Sequence, residues 1–210
     1  MCGRFALHAS PEVVALQFGL AEPPALAPRY NIAPASPVLI VRREDAKARA
    51  AAVRWGLVPG WAKDPSIGAR LVNARGERLA QKPSFRDAYR RRRCLVPASG
   101  FYEWRSEAGV KQPYYIRPSR GGLFGFAGLW ERWNELETCA IITTEANQAM
   151  RPVHHRMPVI LAPADYGRWL EGADGLLAPC PPGEVALHRV RRAVNDARND
   201  FASLIVPDPA

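Results

Sequence analysis

The sequence predicts an α+β fold with a strongly bent, mainly antiparallel β-sheet core and short flanking helices. Three observations carry that expectation. Short β-branched and aromatic runs recur along the chain, the helical stretches between them are brief, and neither a repeat nor a linker divides the 210 residues. Chains of this kind pack strands and helices around one core rather than alternating them in parallel βαβ units. A single domain is expected over residues 2–205, with a loose tail at 206–210.

Taken in order, Ser10-Pro11-Glu12 opens a helix with a cap, a first-turn proline and an acid near the positive dipole end, and Gly19 closes it. Residues 21–37 are proline-rich and read as an ordered, extended loop. Strands are expected at 38–41, 52–55, 114–117, 123–129, 138–143, 159–161 and 187–190, where Val, Ile, Thr and aromatics cluster. Helices are expected at 77–81, 84–91, 145–150 and 164–170.

Composition narrows the function. Apolar residues make up 48% of the chain, as in soluble globular proteins. No apolar run approaches the roughly 20 residues that cross a bilayer, so no membrane partner is expected. The first residues lack the charged, apolar and small-residue regions of a signal peptide, and a cytoplasmic, monomeric protein is expected. Four cysteines (Cys2, Cys94, Cys139, Cys180) are scattered with no metal-ligand spacing. Neither metal nor organic cofactor is expected. The formal charge is +9, and 25 of the 29 basic residues are arginine. An Arg bias accompanies GC-rich coding, yet arginine is also the better bidentate phosphate ligand, so a polyanionic partner is favoured.

Met1-Cys2-Gly3-Arg4 bears the most specific chemistry. Cysteine is small enough for methionine aminopeptidase to remove Met1, leaving an α-amine and a thiol on one residue. Their ordinary pKa values, about 7.7–8.0 and about 8.5, lie near working pH, and a neighbouring ammonium is expected to lower the thiol further. Such a 1,2-aminothiol condenses with an aldehyde to an imine, and the thiol then closes a five-membered thiazolidine. It also suits acyl transfer as an N-terminal nucleophile.

Several segments are too particular to be generic core: Trp55-Gly56-Leu57-Val58-Pro59-Gly60-Trp61, Leu71-Val72-Asn73-Ala74-Arg75-Gly76-Glu77, Arg93-Cys94-Leu95-Val96-Pro97, Gly100-Phe101-Tyr102-Glu103-Trp104 and His154-His155-Arg156-Met157-Pro158. With Cys2, Pro28-Arg29-Tyr30-Asn31-Ile32-Ala33-Pro34 and Gly128-Leu129-Trp130, they resemble the SRAP family of SOS-response-associated peptidase-like proteins that process abasic sites. The resemblance runs from Cys2 to Asn195.

The resemblance implies a single SRAP domain that senses abasic sites in single-stranded DNA and crosslinks Cys2 to the ring-opened deoxyribose. It assigns Cys2, Asn73, Glu103 and His154 to catalysis. Glu103, between aromatics, is expected to be desolvated enough to shuttle protons near neutrality. His154, with histidine's ordinary pKa near 6.5, suits protonation of the leaving hydroxyl as the sugar opens. Asn73, donor and acceptor at once, would orient the Cys2 amine or the sugar. His155 occupies a variable place and reads as structural. Arg4, Arg75 and Arg156 are expected on phosphates, with Trp61 and Trp104 on bases and Trp61 as the stacking wedge. The run Arg90–Arg93 fits both a phosphate contact and a solvated helix end. Lyase-type incision through β-elimination and reversal of the crosslink would use the same groups. Two other classes stay open: an N-terminal-nucleophile hydrolase or peptidase, and a noncatalytic single-strand-binding module.

Overall fold

A computed structural model describes residues 2–209. The helices are short and sit where the sequence punctuates them. Helix α1 (Pro11–Phe18) begins at Ser10, whose side chain accepts from the Val13 N–H, and ends at Gly19 with φ 66°. Helix α2 (Pro83–Arg91) buries Phe85 and Ala88, and α3 (Tyr166–Leu170) buries Tyr166 and Trp169. The expected 77–81 helix shortens to a 3-10 turn at Gly76–Arg78, because Pro83 disfavours helical geometry at Lys82 before it. The expected 145–150 helix does not form. Glu145 ends a strand, and the Asn147 side chain accepts from the Met150 N–H at 3.0 Å, making a side-chain-closed turn instead.

The strands are β1 (Phe5–Leu7), β2 (Arg29–Ile32), β3 (Pro37–Glu44), β4 (Lys47–Trp55), β5 (Asn73–Arg75), β6 (Arg93–Ala98), β7 (Gly100–Glu107), β8 (Val110–Pro118), β9 (Phe124–Trp133), β10 (Leu136–Glu145), β11 (Arg156–Pro158), β12 (Ile160–Leu161) and β13 (Val185–Arg189). The α+β class and antiparallel bias are as expected, and the bending is realised in two sheets. One runs β13-β8-β7-β1-β2. In the other, β10, β4, β3, β6 and β9 close on themselves, since β9 also pairs with β10. Closure removes the exposed edges an open sheet would leave. Strand β2 lies within the stretch read as loop. The tail, expected to be loose, is tied as far as Asp208: Pro207 bridges to Val190, and the Asp208 N–H donates to Arg189 at 2.9 Å.

Alternation along β1 and β7 separates two apolar clusters. Phe5, Leu7 and Phe101 face the main core, where Phe5 meets Trp55 edge-on at 5.3 Å and Phe101 meets Phe126 at 5.8 Å. Ala6 and Tyr102 face a second cluster with Tyr115, Val190, Val194 and Leu204. The same alternation puts Glu103 on the Phe101 face and Trp104 on the Tyr102 face.

Gly56 and Gly68 hold the loop that carries Trp61. A Cβ on Gly56, at φ 133°, would lie 2.7 Å from the Gly68 carbonyl oxygen, and one on Gly68 would lie 2.6 Å from that of Gly56. Gly56→Ala is therefore expected to destabilise the protein by about 3 kcal/mol. Urea denaturation would read it as a lowered midpoint at unchanged m-value.

Candidate active site

Cys2 is fully buried in the segment that leads into β1. Its position follows from β7: Phe5 pairs with Phe101, and the Tyr102 N–H donates to the Arg4 carbonyl at 3.0 Å. This brings the start of the chain against Glu103, a carboxylate 3% exposed. On another side, the Asn73 amide donates to the Cys2 carbonyl at 2.7 Å. The Asn73 Oδ1 atom is buried and has no hydrogen-bond partner among the described residues, so an acceptor beside Cys2 is open to a donor. His154 completes the group, with Nδ1 3.9 Å from Glu103 Oε1. Four residues far apart in sequence thus converge.

Strand β10 places two of them. At Thr143 it pairs with Arg75 of β5 along one edge and with Pro158 of β11 along the other. Asn73 therefore arrives from one side of β10, and His154 from the segment leading into β11. The Arg156 N–H donates to His154 Nδ1 at 2.9 Å, and the Arg156 carbonyl lies 3.1 Å from the same nitrogen. A neutral ring that accepts from the Arg156 N–H carries its proton on Nε2. A protonated ring can donate from Nδ1 to the carbonyl without moving.

With Met1 still attached, the surroundings of Cys2 do not acidify its thiol. Burial is the largest influence and pushes the thiol up, and the Glu103 charge adds to it. A neighbouring proton acceptor is therefore needed before this sulfur becomes a nucleophile.

The outlying residues divide. Arg75 is exposed and lines a cleft of about 420 Å³ with Arg151, His155 and Arg156. Arg156 is buried, and its terminal nitrogens are bonded to Glu77 at 2.6 and 3.0 Å and to the Thr143 carbonyl at 2.7 Å. Arg4 donates to Asn31 Oδ1 at 2.8 Å and to the Val194 carbonyl at 3.0 Å. Trp61 is 57% exposed, whereas Trp104 donates to Asn195 Oδ1 at 2.8 Å and packs against the second cluster. Trp55 and Phe101 are core. The arginine run splits: Arg90 and Arg91 are solvated, Arg92 pairs with Glu131, and Arg93 is buried over the Tyr89 and Trp169 rings. Cys94 and Cys139 are buried, with thiols pushed up by burial. Among the described residues, no group of three or more His, Cys, Asp or Glu is placed to hold a metal, and no helix is long and apolar enough to cross a membrane.

Asn31 was not singled out in the sequence. It is 1% exposed, accepts from Arg4, and its amide reaches the carbonyls of Val194, Asp196 and Asn199. It fixes Arg4, and so the approach to Cys2. Its place inside Pro28–Pro34 was the available signal, masked because asparagine among prolines reads as a turn residue.

The profile of the SOS response associated peptidase (SRAP) family matches residues 1–197. The chain is an SRAP protein. Among SRAP relatives, the abasic site processing protein YoaM of Bacillus subtilis (strain 168) is 38% identical, with 98% of this chain and 97% of YoaM aligned. The abasic site processing protein YedK of Escherichia coli (strain K12) is 31% identical over 99% of this chain and 100% of its own. The abasic site processing protein HMCES of Gallus gallus is 34% identical, covering 86% of this chain and 66% of its own. A crystal structure of a Bacteroides thetaiotaomicron protein superposes with a TM-score of 0.87 at 26% identity, covering 99% of this chain and all of that one. The SRAP fold described above is thus shared along essentially the whole chain.

Proposed function

We propose that this SRAP protein senses and processes abasic sites in single-stranded DNA by forming a covalent adduct through Cys2 once Met1 is removed. The observation that carries the reading is the convergence of Asn73, Glu103 and His154 on Cys2. The names of YoaM, YedK and HMCES support the substrate.

The chemistry balances with one water released. The Cys2 amine attacks the C1′ aldehyde of the open sugar, and the resulting carbinolamine loses water to give an imine. The thiol then adds to the same carbon, its proton passing to the nitrogen, and the thiazolidine closes. A thiol pushed up by burial needs a proton acceptor at that moment, and Glu103 is the buried carboxylate beside it. His154, with its ring held at Nδ1 by the Arg156 peptide, suits ring opening. The imine also acidifies C2′, so loss of the 3′ phosphate by β-elimination competes with ring closure, and closure by the thiol suppresses it. Arg75 and the neighbouring cleft suit the flanking phosphates.

Mixing the protein with single-stranded DNA carrying one abasic site tests this, read by denaturing gel and intact mass. A Met1-less adduct stable without borohydride, and absent with undamaged DNA, is expected. No adduct from protein confirmed to lack Met1 would overturn the reading and favour amide hydrolysis or simple binding. Trp61→Ala is expected to weaken single-strand binding by about 1–3 kcal/mol, a roughly 5- to 150-fold rise in Kd. Fluorescence anisotropy would measure it.

A further inference from the structure

We infer that Glu77 is a positioning residue: through Arg156, it fixes the orientation and tautomer of His154. The inference deepens the proposed function and rests on it only for its kinetic part. Glu77 follows β5, which lies on one edge of β10, while Arg156 opens β11 on the other. The Arg156 side chain crosses β10 and bonds Thr143 on the way, to the carbonyl at 2.7 Å and to Oγ1 at 3.3 Å. It ends in a two-pronged pair with Glu77 at 2.6 and 3.0 Å. Paired forks of this type fix direction as well as distance. The brace therefore ties the segment bearing Asn73 to the segment bearing His154.

Strand β11 has three residues, and Arg156 stands opposite Glu145, the last residue of β10. A ladder end so short frays unless side chains pin it. The pinned peptide matters because its N–H is the donor to His154 Nδ1. Losing the fix on Arg156 frees that N–H to wander, and the ring then samples both tautomers. Glu77 is suited to the task at neutral pH, since its hydrogen bond to Arg156 holds its carboxyl below the usual range. The pair also neutralises Arg156, so releasing it presents a free guanidinium to phosphate.

The test is Glu77→Gln, which keeps the shape and removes the charge, with two independent readouts. Nitrogen-15 NMR of the His154 ring should show Nδ1 unprotonated and Nε2 protonated in the neutral wild type, and a mixture of tautomers in the variant. Adduct formation at saturating abasic DNA should slow about tenfold, while the half-saturating DNA concentration stays constant or falls. Arg156→Gln should reproduce the tautomer mixture and the slowing, and the double variant should be no slower than either single one. An unchanged His154 spectrum in Glu77→Gln overturns the inference, as does a variant that loses affinity and rate together or effects that simply add. If wild type forms no adduct, the proposed function fails, and the NMR comparison still decides the role of Glu77.

Discussion

Cys2→Ser is expected to abolish the borohydride-independent adduct while leaving an imine that borohydride can trap. Serine keeps the α-amine and the small second residue that lets Met1 be removed, but it removes the thiol that closes the ring. Cys2→Ala should behave alike. Binding to undamaged single strands should change little, because Cys2 is buried and its carbonyl, not its side chain, holds Asn73. In wild type, ring closure should accelerate as pH rises from neutral, because burial and the Glu103 charge hold the thiol protonated there. The thiolate fraction grows about tenfold per pH unit below its pKa. An adduct from Cys2→Ser that survives without borohydride would remove the thiazolidine from the scheme.

Glu103→Gln separates two roles by the sign of its effect. If the carboxylate acted only through its charge on Cys2, removing that charge would make the thiol more acidic and speed closure. As a proton carrier, its loss should slow adduct formation about 100- to 1000-fold, within the usual range for general acid–base catalysis. Single-turnover kinetics with saturating abasic DNA would decide, and a faster variant would refute the shuttle. The buried position makes a stability control necessary, and the denaturation midpoint of the variant supplies it.

The sequence was most legible where local chemistry writes the structure. Ser10 and Gly19 bound α1 because capping depends on the residues themselves. The hairpin of β3 and β4 was only half visible. Its turn puts Asp45 and Ala46 at φ 47° and 64°, and alanine lacks the glycine signature of such two-residue turns. Strands β6 and β7 carried motifs without a strand pattern. All six residues of β6 are buried, so the alternation that marks a half-exposed strand is missing. Asn147 defeated the 145–150 helix by closing a turn with its own side chain. At the site, Cys2, Asn73, Glu103 and His154 were readable as residue types, but their convergence depends on pairings across long stretches of chain. Glu77 was invisible as a partner of Arg156, because nothing local links residues on opposite edges of β10.

The burial of Cys2 also sets a timetable. Strand β1 pairs with β2 and with β7, and β7 begins at residue 100. A ribosome adding about 5–20 residues per second needs roughly 5–20 s after the first residues emerge before β7 can enclose them. On the proposed reading, that interval is when methionine aminopeptidase meets the chain's beginning as an unpaired thread. Slow processing would leave folded molecules whose Cys2 nitrogen is still an amide, unable to condense with an aldehyde. The active fraction of a preparation would then depend on a race between an exopeptidase and a growing sheet.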